Sequence, residues 1–313
     1  MKKTTPRGMR DYTKKAHTVE QQIELLKRRG MLITDESDAR HYLSHINYYR
    51  LRAYWLPFET PTQAAGDHAF RQGTSFNDVC NLYMFDRKLR LLALDAIERF
   101  EVSLRAQWAH TLGLHAGPHA HLDPQLFRKE GAYSRMVEDL REEFEKSEET
   151  FAQHYWTTYG TPELPPIWAS CELLTFGCLS FCYSGLADPA LRKAIAKPNG
   201  VDENVFSSVV HHLNYIRNVC AHHSRLWNRV AAISMKLPFH PAELAQSLNP
   251  DQPKKIYNTL TLLLHLIRRI SPGSQWGEHV HALVAEYPIA PPADMGFPAD
   301  WAKRPLWLIS NDA

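Results

Sequence analysis

Residues 214–228 read Asn-Tyr-Ile-Arg-Asn-Val-Cys-Ala-His-His-Ser-Arg-Leu-Trp-Asn, and they overlap a run with helical periodicity. Apolar side chains recur at positions 206, 209, 210, 213, 216 and 220. This spacing predicts a helix with one buried stripe. The helix would carry an unusually dense set of Arg, Asn and His side chains.

A helical wheel of about 100° per residue groups the polar side chains of this segment. His211, Asn218, His222 and Arg225 fall in one narrow sector opposite the apolar stripe. Asn218 and His222 are four residues apart, so we expect them to touch. Arg217 lies about 140° around the wheel from His222. Either its long side chain reaches round, or the helix bends or ends before His222.

Arg217, Asn218 and His222 supply the groups needed to cleave RNA without a metal. An imidazole exchanges protons near neutral pH, and a guanidinium matches phosphate oxygens with a forked set of donors. A base takes the proton of a ribose 2′-OH, the oxygen attacks the adjacent phosphorus, and the Arg stabilises the extra charge. DNA lacks the 2′-OH and would resist cleavage.

The same side chains also have simpler explanations. Arg-x4-His occurs by chance in many proteins, so Arg217 could be a structural ion-pair partner and His223 a hydrogen-bonded core histidine. A zinc site would need His211, Cys220, His222 and His223. No Cys-x2-Cys pair accompanies them, so that alternative is weak. We therefore expect no metal and no cofactor.

Two motifs together resemble a known family. One is the segment 217–228; the other, at residues 46–58, reads Ile-Asn-Tyr-Tyr-Arg-Leu-Arg-Ala-Tyr-Trp-Leu-Pro-Phe. They are similar to the two hallmarks of the Abi-like abortive-infection proteins, the AbiD/AbiF group of the HEPN superfamily. Two matches in the right order are far more specific than Arg-x4-His alone.

This resemblance implies an all-α fold with a HEPN-like helical bundle core, a homodimer, and metal-independent endoribonuclease activity in antiviral defence. By position, Arg217 and His222 carry over as the catalytic pair, and Asn218 as the polar residue after the Arg. His223 also falls within the family's Arg-x4–6-His window. We favour His222 as the acting histidine because it shares a face with Asn218.

A second interpretation keeps the same residues without catalysis. The chain would then be a non-catalytic RNA-binding or regulatory module of a defence or toxin–antitoxin system. In either case the partner is RNA, and a structured non-coding RNA or a tRNA is a candidate. The sequence alone does not indicate which RNA is bound.

Composition limits how such a protein would hold RNA. The 36 Lys and Arg nearly balance the 34 Asp and Glu, so no global basic field attracts nucleic acid. A local basic surface or a site shared across a dimer is required. Five scattered Cys form no disulfide framework, which favours a cytoplasmic location. No apolar run reaches membrane-spanning length.

Additional RNA contacts are predicted from aromatic residues interleaved with arginines. Tyr49, Arg50 and Arg52 could clamp RNA, since aromatic rings stack on bases and Arg binds phosphate. The favoured alternative is that neighbouring aromatic residues pack one helix face and the arginines support them. His211 is a further RNA-binding candidate because it lies in the polar sector of the motif helix.

Three charged residues could support the motif helix from a distance. Glu98, Glu101 and Arg105 lie on one stripe of a helical region predicted over 76–114, as one long helix or two in line. They could form a network that orients the motif helix, or a plain surface salt bridge. Arg225 is a possible supporting residue of the motif itself.

The sequence predicts four regions. These are a basic arm (1–17), an N-terminal helical region (18–74), the helical core (75–270) and a C-terminal tail that packs on the core (271–313). Thr18 and Gln21 form a capping-box pattern for a first helix that Gly30 would stop. A single acidic helix is predicted over 133–159.

Overall fold

The computed structural model of the chain describes residues 15–60, 68–128 and 130–308, the side chains of 130–132 excepted. Most of the predicted basic arm, residues 1–14, lies outside these ranges. The described residues form thirteen α-helices, and their only β pairing is three isolated bridges. The predicted all-α fold is therefore confirmed. In this described part, no helix is both long and apolar enough to cross a bilayer.

The chain divides into two compact units, Met1–Met84 and Phe85–Ala313, and the division falls inside the longest helix. The helices of the described part, in chain order, are α1 (Val19–Arg28), α2 (Glu36–His45), α3 (Tyr48–Trp55), α4 (Phe76–Ala116), α5 (Glu130–Lys146), α6 (Thr150–Thr158), α7 (Ile167–Leu173), α8 (Phe176–Gly185), α9 (Pro189–Ala196), α10 (Glu203–Ala221), α11 (Ala242–Ser247), α12 (Ile256–Ile270) and α13 (Trp276–Glu286). Short 3₁₀ turns join several of them, at Leu56–Phe58, Ala120–Leu122, Pro124–Leu126, Lys197–Asn199, Pro292–Met295, Trp301–Lys303 and Pro305–Trp307.

The first unit begins with the predicted capping box. The Thr18 hydroxyl accepts from the Gln21 N–H at 3.2 Å, and the Gln21 side chain accepts from the Thr18 N–H at 3.0 Å. The helix ends before Gly30, whose φ of +91° suits glycine alone among common residues. Leu32 then accepts from the Phe76 N–H at 2.9 Å, which ties the chain to the start of α4.

The second unit is built around α10 and α12. Phe206 of α10 lies 5.9 Å from the Phe100 ring and 5.2 Å from the Tyr183 ring, centroid to centroid. Every residue of α12 from Ile256 to Ile267 is buried. A helix that is buried all round is typical of the centre of a core. These neighbours hold α10 as a rigid support for the loop at its C-terminal end.

The prediction of a single helix over 133–159 is wrong, because this range contains two helices, α5 and α6. Between them the Ser147 hydroxyl accepts from the Glu149 N–H at 3.3 Å, and its carbonyl accepts from the Gln153 side chain at 2.8 Å. Serine side chains compete with helical backbone bonds in this way. The break therefore has a local cause.

Candidate functional site

The motif helix α10 has the buried stripe that the sequence predicts. Its first turn is capped by Asp202, whose carboxylate accepts from the Asn204 N–H at 2.8 Å. The predicted stripe residues are all buried: Phe206, Val209, Val210, Leu213, Ile216 and Cys220. The polar residues of α10 are thus displayed from a helix whose orientation is fixed by packing.

The helix ends within the motif. Ala221 is the last helical residue and His222 is the C-cap. The His223 N–H donates to the Cys220 carbonyl at 3.0 Å, and the Ser224 N–H donates to the Val219 carbonyl at 2.9 Å. This pair of bonds defines a Schellman motif. Of the two possibilities left by the wheel, the structure has the helix ending before His222.

His223 occupies the position of that motif where glycine is usual. Its φ is +55°, in the left-handed region. That conformation costs an L-residue roughly 1–2 kcal/mol, although histidine is among the residues found there more often than most. Both His222 and His223 are exposed. The end of α10 therefore presents two adjacent imidazoles to solvent.

The explanation of His223 as a core histidine is wrong. The buried histidine of this segment is His212, with Nδ1 2.7 Å from the Ile233 carbonyl and Nε2 2.8 Å from the Thr259 hydroxyl. Its burial lowers the pKa of the imidazole. His212 is structural, and His223 belongs to the exposed site.

Asn218 contacts both members of the predicted pair. Its side-chain oxygen accepts from Nη1 of Arg217 at 3.3 Å, and its main-chain carbonyl accepts from the His222 N–H at 3.0 Å. Arg217 and Asn218 are half-buried. Asn218 therefore holds the guanidinium on one side and the backbone of the first exposed histidine on the other.

A buried carboxylate, which sequence reasoning missed, fixes the loop after α10. Oδ1 of Asp86 on α4 accepts from the N–H groups of Leu226 at 2.9 Å and Trp227 at 2.5 Å. The same carboxylate pairs with Arg90 one turn further along, and both side chains are almost fully buried. An Asp and an Arg four residues apart in an apolar part of α4 were the available signal.

Two of the three residues predicted to support the motif helix form an ion pair. Arg105 pairs with Glu101 and donates to the carbonyls of Cys171 and Glu172, at 2.8 and 2.9 Å. Glu98 is exposed. The contacts of Arg105 join α4 to the end of α7, and a role of these residues in orienting α10 stays a prediction.

Arg225 follows the end of α10, so its wheel position does not apply. Its guanidinium lies 5.9 Å from the centroid of the Trp227 ring, and its carbonyl accepts from Nε of Arg229 at 2.6 Å. Lys255, at the N-terminus of α12, donates to the Asn228 side chain. Arg225 and Arg229 thus belong to the loop that carries the two exposed histidines, and Lys255 contacts that loop from α12.

The segment around the site contains no acidic residue. From Asn204 to Ala242 the sequence has no Asp or Glu, while it includes Arg217, Arg225 and Arg229. This segment is therefore basic in composition, although the chain as a whole is nearly balanced.

The zinc alternative finds no geometric support. Across the described ranges, no three His, Cys, Asp or Glu side chains come together as a metal-binding group. Burial raises the pKa of the Cys220 thiol to about 12. Cys220 is buried in the apolar stripe of α10, whereas His211, His222 and His223 are exposed.

The RNA-binding candidates of the first unit lie on α3. Tyr49 is 64% exposed, and the Arg52 guanidinium lies 6.0 Å from the centroid of its ring. Arg50 is half-buried. The favoured packing role holds for the buried face of α3, which consists of Leu51, Tyr54 and Trp55. His211, the candidate on α10, is exposed.

The fold and the site define an all-α protein whose polar residues gather where one packed helix ends. The family described as Abi-like protein matches residues 41–228, more than half of the chain. The chain therefore belongs to the Abi-like protein family. The match ends at Asn228, the last residue of the motif, and it includes α3. No curated protein and no solved structure matches the chain.

Proposed function

We propose that this protein is a metal-independent endoribonuclease of abortive-infection defence, of the AbiD/AbiF type within the HEPN superfamily. The observation that carries the proposal is the grouping of polar side chains at the end of α10. The Arg217 guanidinium donates to the Asn218 side chain, and the exposed His222 and His223 follow directly where the helix ends. Family membership supports the role in defence, and the chemistry of these groups supports RNA cleavage.

In the proposed reaction, His222 takes the proton of a ribose 2′-OH. The oxygen attacks the adjacent phosphorus, and Arg217 stabilises the charge that develops on the phosphoryl oxygens. The P–O5′ bond breaks as the leaving oxygen takes a proton from a second imidazole, that of His223, which gives a 2′,3′-cyclic phosphate and a 5′-OH. Asn218 keeps the guanidinium in place, and His223 is exposed at the end of α10.

We further propose that the active form is a homodimer with RNA in a shared cleft. Each chain contributes one Arg217 and one His222, so two copies would supply paired groups on both sides of a phosphate. The segment after the motif displays apolar side chains to solvent: Val230 is 62% exposed and Phe239 is 82% exposed. We propose these two side chains as the first to substitute in a test of dimer formation.

Incubation of the purified protein with total bacterial RNA in EDTA tests the proposal. Wild type is expected to give discrete fragments whose 3′ ends are cyclic phosphates. Arg217→Ala and His222→Ala should each lower the rate at least a hundredfold, as loss of a general base or a charge-stabilising donor does. His279→Ala is the matched control, since His279 is an exposed histidine on α13, outside the site.

Two outcomes contradict the proposed chemistry. Cleavage that disappears in EDTA would show that a metal is required. RNA that stays intact with wild type, yet is retained by the protein in an Arg217-dependent manner, would favour the non-catalytic RNA-binding module.

A further inference from the structure

The first unit contains a cleft of about 840 Å³ between α1, α2 and α3. This is within the range of small-molecule sites, about 300–1,000 Å³. Leu25 and Leu43 give it an apolar floor, and Tyr48 and Tyr49 form an aromatic wall. Cations line it at Lys15, Arg29 and Arg52, and none of the described lining residues is a carboxylate.

The Arg29 guanidinium at the wall of the cleft is fully engaged in hydrogen bonds within the protein. Its guanidinium donates to the Glu59 carboxylate at 2.5 Å and to the Tyr48 hydroxyl at 3.3 Å. It also donates to the carbonyl of His68, at the rim. The charge of Arg29 is therefore compensated, and its role is to hold Tyr48 in position.

Arg52 and Lys15 differ from Arg29, because the described residues offer their charged groups no carboxylate partner. Among the described residues, the Arg52 guanidinium has no ion-pair or hydrogen-bond partner and only faces the Tyr49 ring at 6.0 Å. Lys15 is exposed, and the described residues offer it no carboxylate partner. An aromatic face beside two uncompensated cations is the combination that binds a base together with its phosphate.

Gln22 is part of the structure that surrounds the cleft. Its amide nitrogen donates to the His17 carbonyl at 3.1 Å, which links α1 to the residues before it. Its Oε1 is buried, so this oxygen does not face a ligand in the cleft. The groups of the cleft that a ligand can reach are therefore the Tyr49 ring and the cations Arg52 and Lys15.

We propose that this cleft is a nucleotide-binding site, in which the base stacks on Tyr49 while Arg52 and Lys15 bind the phosphate. The ligand is either a free mononucleotide or one nucleotide of an RNA chain. This site goes beyond the proposed cleavage, and binding at it does not depend on chemistry in the second unit.

Fluorescence anisotropy with the full-length chain and a labelled 2′-O-methyl hexa-adenylate tests the site. This probe has no free 2′-OH, so it is not cut whether or not the protein is a nuclease. We expect Tyr49→Ala and Arg52→Gln each to weaken binding about tenfold, the typical loss for one stacked base or one phosphate contact.

Matched controls separate the site from general charge and from folding. Tyr49→Phe keeps the ring and should keep the affinity. Arg28→Gln removes a charge from an exposed position of α1 that does not line the cleft, and should change binding less than twofold. If Tyr49→Ala fails to fold, Arg52→Gln still shows whether the probe binds at the cleft.

Competition identifies the source of the nucleotide. Displacement of the probe by AMP supports a free mononucleotide, and displacement only by unlabelled oligonucleotide supports an RNA chain. The proposal is overturned if wild type does not bind the probe, or if Tyr49→Ala and Arg52→Gln bind it as wild type does. Equal binding of labelled hexa-aspartate would also overturn it, since the cleft would then hold any anion.

Discussion

His223 combines an exposed imidazole with a backbone conformation that glycine would adopt more easily. Its φ is +55°, and it occupies the position after the C-cap of α10. Replacing it by Gly and by Ala separates these two properties. Both substitutions remove the imidazole and all of its contacts. The difference between them therefore reports the backbone alone.

The magnitude depends on two opposing effects. An L-residue in the left-handed region costs roughly 1–2 kcal/mol, which His223→Gly relieves and His223→Ala does not. Glycine loses more conformational freedom on folding, at a cost of roughly 0.5–1 kcal/mol relative to alanine. His223→Gly should therefore be more stable than His223→Ala by about 0.5–1 kcal/mol. For a unit of this size, that shifts Tm by about 2 °C.

Urea unfolding followed by tryptophan fluorescence measures the difference. Ala221 provides the matched control, because it is exposed and lies on the last turn of α10. Ala221→Gly should destabilise by about 1 kcal/mol, the ordinary cost of glycine in a helix. If His223→Gly is less stable than His223→Ala, the left-handed assignment is refuted. RNA cleavage by the two His223 variants would show whether the second imidazole contributes.

Two further predictions concern buried ionisable groups. Asp86→Ala leaves Arg90 and two backbone N–H groups of the motif loop without their carboxylate, and should cost about 3–5 kcal/mol in urea unfolding. Asp95→Ala, which breaks the more exposed Asp95–Arg99 pair on the same helix, should cost less than about 1 kcal/mol; equal losses would contradict the role of Asp86. Burial lowers the pKa of His121 from 6.5 to about 4, so the unfolded chain binds its proton first and stability should fall by up to about 3 kcal/mol as pH drops from 6.5 to 4. His121→Phe should remove that part of the pH dependence, and an unchanged slope would show that other groups cause it.

Local signals in the sequence were sufficient for much of the fold. The capping box of Thr18 and Gln21 and the stop at Gly30 lie within a few residues of the helix they define. The buried stripe of α10 repeats at helical spacing and is present as predicted. Such features need no knowledge of distant parts of the chain.

The end of α10 could not be read in the same way. Glycine is the usual marker of this type of helix end, and the chain has His223 there instead. The helical-wheel prediction therefore treated His222 and Arg225 as helical residues. In the structure α10 ends at Ala221, so Arg225 lies beyond the helix. Because a histidine occupies the position where glycine would mark the helix end, the sequence does not show where α10 ends.

The support of the site depended on contacts that no local pattern reveals. Asp86 meets the N–H of Leu226 across 140 positions of the sequence. The cleft of the first unit likewise needs Gln22 beside Tyr49, which belong to different helices. The interleaved aromatics and arginines of α3 indicated candidate residues, but only the fold shows the space in front of them.

The absence of acidic residues between Asn204 and Ala242 separates charge along the chain. With His counted as neutral, Arg217, Arg225, Arg229 and Lys236 give this segment a formal charge of +4 in a chain whose total is +2. The remaining residues together are therefore net negative, at −2. A chain with nearly balanced overall charge thus has a segment that a polyanion such as heparin should attract while the rest of the chain does not.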